Sequence, residues 1–200
     1  MNELTFKASE AHKLEDPERF NWLPPDEILA QVGLRPGMIV ADIGSGTGFF
    51  AIPMARVVGA SGRVYAVDFQ DEMLDLLRAK LAAPDAPANL EPLKGEAVAT
   101  GLPDQSCDLV FTANTWHELE DRPSALREFA RILKPDGILA VLDWRHDADR
   151  PPGPPAAHRI PMRDAIATLE HQGWELHHFG KAGTYTYLLL AGVADQGQQS

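Results

Sequence analysis

The chain has 200 residues, enough for one buried core, and its 44% hydrophobic and 24% charged residues are an ordinary globular balance. A net charge of -11, with no run of Lys or Arg to offset it, opposes nucleic-acid phosphates and favours small-molecule chemistry. No apolar run approaches the roughly 18 to 20 residues that cross a bilayer, residues 1–10 lack a hydrophobic signal core, and the single Cys107 excludes an internal disulfide framework or a cysteine-rich zinc site, so a cytoplasmic protein with no membrane partner and no metal is expected.

Residues 1–25 read as a polar arm or lid, closing on Phe20 and Trp22 before Pro24-Pro25. A short helix from Asp26 to Val32 stops at Gly33, and Pro36-Gly37 turns the chain into a strand at Met38–Ala41. Strands and helices then alternate. Phe49–Val58 predicts a helix, Arg63–Val67 a strand, and Asp71–Leu81 a helix with Met73, Leu74 and Leu77 on one face. Asn89–Leu93 is a weak strand, Cys107–Ala113 a strong one, and Ser124–Leu133 a helix ended by Pro135-Asp136-Gly137 ahead of a buried strand at Ile138–Leu142. This alternation is the pattern of parallel βαβ units.

Five prolines between His146 and Pro161 exclude regular structure and predict a loop over the sheet and its active site, covering the acceptor pocket together with the N-terminal arm. Met162–His171 reads as a helix; Trp174–Phe179 and Tyr185–Val193 read as strands whose short connection across residues 180–183 makes them antiparallel. Residues 26–194 are thus expected to form one domain and residues 195–200 a frayed tail.

The stretch Val40-Ala41-Asp42-Ile43-Gly44-Ser45-Gly46-Thr47-Gly48 stands where a strand gives way to a helix. Alternate glycines let a ligand approach the backbone, and a following helix offers unpaired N–H groups. A dinucleotide fingerprint would need glycine at position 49, where Phe49 stands, and the Asp42 carboxylate would repel a pyrophosphate but attract a cation. Asp68, twenty residues beyond Gly48 at the end of the next strand, offers two acceptor oxygens to the hydroxyls of a ribose, a role shared with nicotinamide enzymes.

An acidic residue followed by G-x-G-x-G resembles the first motif of the class I S-adenosylmethionine-dependent methyltransferases. The likeness extends in order through Asp68, Gly95-Glu96-Ala97, Leu102-Pro103-Asp104, Cys107–Phe111 and Leu126–Gly137, spanning about Leu34 to Leu142. It implies a Rossmann-like α/β fold with a mostly parallel seven-stranded sheet, an antiparallel C-terminal strand pair and helices on both faces. It also implies S-adenosyl-L-methionine as cofactor and S-adenosyl-L-homocysteine as product. Gly44, Ser45, Gly46 and Gly48 would then lie against the methionine portion, with Asp42 ordering the loop and the amino group and Asn114 facing the cofactor. Asp68 would hold the ribose, Phe69 and Met73 would flank the adenine, and Glu96 or the backbone of Ala97 would meet its amine. Asp143-Trp144, the Gly153-Pro154-Pro155 loop and His12-Lys13-Leu14 resemble a subset of small bacterial methyltransferases, which leaves the acceptor open.

Methyl transfer from a sulfonium needs chiefly alignment of the acceptor, and a base helps where that acceptor carries a proton. His117 and Glu118 after the fourth strand, and Asp143 and His146 after the fifth, are the candidates. Each has a plainer reading: His117 as a helix cap, Glu118 and Asp143 as surface or capping carboxylates. Trp116 and Trp144 either wall the pocket or pack, and Cys107 reads as a small buried hydrophobe. The expected activity is methyl transfer to a small-molecule acceptor by a monomer or homodimer; a cofactor-binding protein without turnover and a nicotinamide-dependent oxidoreductase are the alternatives.

Overall fold

The computed structural model describes residues 6–194. Among them are seven strands in one sheet: β1 (Ile39–Ile43), β2 (Arg63–Asp68), β3 (Leu90–Lys94), β4 (Cys107–Ala113), β5 (Leu133–Trp144), β6 (Trp174–Ala182) and β7 (Thr186–Val193). Their order is β3-β2-β1-β4-β5-β7-β6. The first five strands pair in parallel, and β7 runs antiparallel to both β5 and β6. Strand order reverses between β1 and β4, so their carboxyl ends part there and leave a crevice. This is the Rossmann-like arrangement expected.

The described residues also form six α-helices: α1 (Arg19–Trp22), α2 (Pro25–Val32), α3 (Ala51–Val58), α4 (Asp71–Leu81), α5 (Arg122–Ile132) and α6 (Met162–His171). Val40, Val64, Leu109 and Phe111 face α2 and α3 in one core, with Met54 and Val58. Ala41, Val110, Leu139 and Val141 face α5 and α6 in the other, with Phe129 and Leu169. A central strand buried on both faces is apolar on both, which is why β1 and β4, apart from Asp42, Asp108 and Thr112, show no alternation of polarity.

Several boundaries differ from the sequence reading. α3 starts at Ala51 and not at Phe49, because the loop uses residues 44–50 for turns. α5 starts at Arg122 and not at Ser124: Asp121 caps it, accepting from the Ser124 N–H at 2.9 Å, and Pro123 sits in the first turn where its missing N–H costs nothing. Pro135-Asp136-Gly137 does not end a helix. The helix has already stopped at Ile132, Leu133 pairs with Cys107, and the tripeptide is an irregularity inside β5 before Ile138 pairs with Leu109. β6 also runs on to Ala182, so residues 180–182 pair with Leu188, Tyr187 and Thr186 instead of forming the connection.

Within the segment read as an arm or lid, residues 6–22 carry helical turns. A 3-10 helix spans Ala8–Glu15, and α1 follows it. The proline loop contains a 3-10 turn, Ala156–His158, and buried Arg159 draws it together by donating to the Pro154 carbonyl at 2.8 Å and the Ala148 carbonyl at 3.1 Å. The tail expected at residues 195–200 lies outside the described residues.

Candidate active site

A cleft of about 1340 Å³ opens at the carboxyl ends of β1, β2 and β4. The loop after β1 builds its floor. The Gly44 and Ser45 N–H groups both donate to the Val67 carbonyl, at 2.9 and 3.1 Å, which swings the loop toward β2. Gly44 has φ 73° and lies so close to Thr115 that any side chain would overlap it. Asp68 completes the turn: its Oδ2 accepts from the Gly46 N–H at 2.8 Å and its Oδ1 from the Gln70 N–H at 2.9 Å. Each oxygen keeps a further lone pair for a ligand hydroxyl.

Of the expected cofactor residues, Asp42, Gly44, Ser45, Gly46, Asp68, Phe69, Met73, Glu96, Ala97 and Asn114 all line this cleft. Gly48 does not. A Cβ there would lie 2.6 Å from Leu77 Cδ1, so this glycine serves the packing of α4 against the loop.

Charge in the cleft is organised around Asp42, which is 2% exposed and whose Oδ2 has no hydrogen-bond partner. Burial, reinforced by the charge of Asp68, pushes its carboxyl up to about 8. Ser45 Oγ and Asn114 Oδ1 are also buried in the cleft wall without partners. Asn114 holds φ 55°, a left-handed conformation fixed by its N–H bond to the Leu142 carbonyl at 2.8 Å. Three orphaned oxygens around a glycine-lined floor fit a compact cation with hydrogen-bond donors of its own, as the methionine end of a sulfonium nucleoside is.

Beyond β4 the chain makes a 3-10 turn, Trp116–Glu118, clamped by Arg122, whose Nε donates to the Trp116 carbonyl at 3.1 Å and whose Nη2 donates to that of His117 at 3.2 Å. This turn places His117 and Glu118 in the cleft wall. His117 Nδ1 is 2.8 Å from Oδ1 of Asp143, and its Nε2 is 3.8 Å from Oε1 of Glu118. Asp143 is wholly buried on β5, accepts also from the Trp144 N–H at 2.8 Å, and stands behind His117, outside the cleft lining; it is neither a surface carboxylate nor a cap. Burial by itself would lower the His117 imidazole, but the hydrogen bond and charge of Asp143, with Glu118 behind them, leave it raised. Burial lifts Glu118 to about 7, with Asp143 and Asp68 adding to the rise.

His146 is exposed and lies outside the cleft, so β5 contributes Asp143 and Trp144 but no second histidine. Trp144 lines the cleft, whereas Trp116 and Cys107 are buried in the core.

Residues missed by sequence reasoning come from the N-terminal segment. Phe6 donates its N–H to Glu118 Oε2 at 3.2 Å, and its carbonyl accepts from Gln70 Nε2 at 2.9 Å. Farther along, Glu15 binds Thr47 Oγ1 at 2.5 Å and Lys80 Nζ at 2.6 Å, so the segment crosses the cleft from the tip of β4 to the glycine loop. Arg19 and Trp22 of α1 then line it beside Phe49. Nothing local in a polar sequence signals contacts with partners 32 to 112 residues away. Among the described residues no group of three or more His, Cys, Asp or Glu is placed to hold a metal ion, and no helix is long and apolar enough to cross a membrane.

Fold and cleft together define an α/β protein built to bind a cationic nucleoside at a topological switch point. The methyltransferase domain family matches residues 41–141. The chain is 30% identical over 151 residues to the ubiquinone/menaquinone biosynthesis C-methyltransferase UbiE of Shewanella woodyi, covering 74% of this chain and 60% of that protein. It is 35% identical over 116 residues to UbiE of a Marinomonas species, covering 58% and 46%. The chain therefore spans about half the length of the curated relatives it matches. The crystal structure of a SAM-dependent methyltransferase from Aquifex aeolicus superposes with a TM-score of 0.90 at 34% identity, covering 95% of this chain and all of that one. The chain belongs to the class I S-adenosylmethionine-dependent methyltransferases, with S-adenosylmethionine as its cofactor.

Proposed function

We propose that this protein methylates a small-molecule acceptor that gives up a proton, with His117 as the base. The observation that carries the reading is the buried pair of His117 and Asp143 at 2.8 Å, with His117 in the wall of the cofactor cleft. With Asp143 Oδ1 accepting from Nδ1–H, the tautomer selected is the one whose Nε2 carries its lone pair on the side of Glu118. Glu118, raised to about 7, stands 3.8 Å from that nitrogen on the cleft side.

Asp42, Ser45 and Asn114 would hold the methionine end of the cofactor, Asp68 the ribose, and Phe69, Met73, Glu96 and Ala97 the adenine. Bound S-adenosylmethionine supplies an electrophilic methyl group. The chain's own task is to align the acceptor and to remove its proton, which is worth on the order of 10² to 10⁴ in rate. The UbiE relatives are named as C-methyltransferases. A carbon acceptor gains its nucleophilicity by losing a proton, which is what a histidine backed by a buried carboxylate serves.

Calorimetric titration with S-adenosylmethionine tests the cofactor reading, and absence of binding at millimolar concentration would sink it. Transfer of labelled methyl to a panel of phenols, quinols and enolisable ketones tests the rest. A protein that binds the cofactor, where His117→Ala turns over every accepted compound as fast as the wild type, would defeat the assignment of the base.

A further inference from the structure

Arg19 is 8% exposed, lines the cleft and lacks a counter-charge in contact. Among the described residues its guanidinium makes one hydrogen bond, from Nη1 to the Leu14 carbonyl at 2.8 Å, and pairs with no carboxylate. The acidic group whose charge it feels, Glu15, is already taken up by Thr47 and Lys80. Anchoring Leu14 uses one of five N–H donors. Burial drags the Arg19 guanidinium down to about 10, so the cation is held at a cost that its observed partners do not offset.

Its remaining stabilisation comes from aromatic rings. Arg19 Cζ stands 4.0 Å from the centroid of Phe49 and 5.9 Å from that of Trp22. Trp22 in turn lies 5.3 Å from Trp144, and Gly153 approaches so closely that a Cβ would be 2.7 Å from the Trp144 ring. This wall is across from the Asp68, Phe69 and Glu96 end of the cleft, on the side of β5. Asp42 and Asp68 gather their carboxyl oxygens at the glycine-loop end, while Lys13, the other lining ammonium or guanidinium, pairs with Glu10 at the exposed rim. A buried, uncompensated cation beside the site of a sulfonium repels that cofactor unless the second ligand brings the opposite charge.

The geometry points to Arg19 as the residue that selects the acceptor: a planar aromatic molecule bearing a carboxylate, its ring against Trp22 and Trp144 and its anion on the free face of the guanidinium fork. Arg–carboxylate pairing is planar and bidentate, which suits an anion carried on a flat ring. This inference rests on the methyltransferase reading and names the chemical class of its acceptor.

The test compares 1-naphthoate with its neutral isostere 1-naphthamide, binding to protein saturated with S-adenosylhomocysteine and followed by quenching of tryptophan fluorescence. Naphthoate should bind at least tenfold more tightly than the amide. Arg19→Met should reduce that ratio below about twofold while S-adenosylhomocysteine affinity stays within twofold, and Arg19→Lys should keep part of the preference because it retains charge but not the fork. Equal affinity of the two probes, no binding of naphthoate to the saturated protein, or an undiminished ratio in Arg19→Met overturns the inference and leaves the enzyme class standing. Failure of S-adenosylhomocysteine to bind removes both. Should Arg19→Met not fold, the wild-type ratio alone decides.

Discussion

His117 and Asp143 meet at 2.8 Å although 26 residues separate them, because the turn after β4 and the last residues of β5 leave the sheet side by side. Asp143→Asn preserves size and removes charge. An asparagine can present its amide as a donor to Nδ1, which favours the wrong tautomer, so kcat should fall on the order of 10²-fold with cofactor affinity unchanged. Steady-state kinetics beside calorimetry separates the two. A base acts only when neutral, and the raised His117 pKa places the rise of activity with pH above the ordinary imidazole range; in Asp143→Asn that rise should move to lower pH.

Asp42 gives a second prediction, in protons. Its carboxyl titrates near 8 in the native protein and near 3.8 when unfolded, so between those values the native state binds more protons. Stability of the cofactor-free protein should therefore decline as pH rises from about 4 to 8. A cation docking beside Asp42 reverses the shift, and cofactor binding at pH 7 should release up to about one proton. Calorimetry in two buffers of different ionisation enthalpy reads that number directly. Asp42→Asn should lower it, leaving only the share contributed by Glu118.

What could be read from the residues was whatever local chemistry dictates. The strand ending in Asp42, the glycines beyond it and Asp68 at the next strand end are fixed by backbone conformation and spacing, and the cleft holds them together. Pro135-Asp136-Gly137 misled because turn-forming residues were absorbed into β5 by pairing with β4, a tertiary effect that no local window contains. Asp143 after an apolar run looks like any strand end; its contact with His117 is made across 26 residues. Arg19 was invisible for the same reason, since its place in the cleft follows from α1 packing against Phe49.

Glu128 predicts behaviour in acid. Its Oε1 accepts from the Thr100 N–H at 2.7 Å and the Thr100 hydroxyl at 2.6 Å, and Arg131 bonds both its oxygens at 2.8 Å. Arg131 foremost, against the opposing effect of burial, holds the carboxyl down at about 2. Its contribution is present above the unfolded value of 4.5 and is lost as pH falls toward 2. Glu128→Gln should cost about 1–3 kcal/mol at pH 7 and roughly a quarter of that at pH 2.5, measured by urea unfolding.

Gly44 and Gly48 belong to one motif but should fail in different ways. Both hold positive φ, 73° and 86°, so alanine strains the backbone at either position by about 1–2 kcal/mol. At Gly44 the new methyl meets Thr115 on the cleft floor; at Gly48 it meets Leu77 of α4, away from the cleft. Gly44→Ala should therefore weaken cofactor binding at least tenfold. Gly48→Ala should lower stability by about 1–3 kcal/mol through overpacking yet bind the cofactor within about threefold of wild type. Denaturant midpoints and calorimetry on the two variants test this, and equal loss of affinity in both would mean that Gly48, too, bears on the ligand.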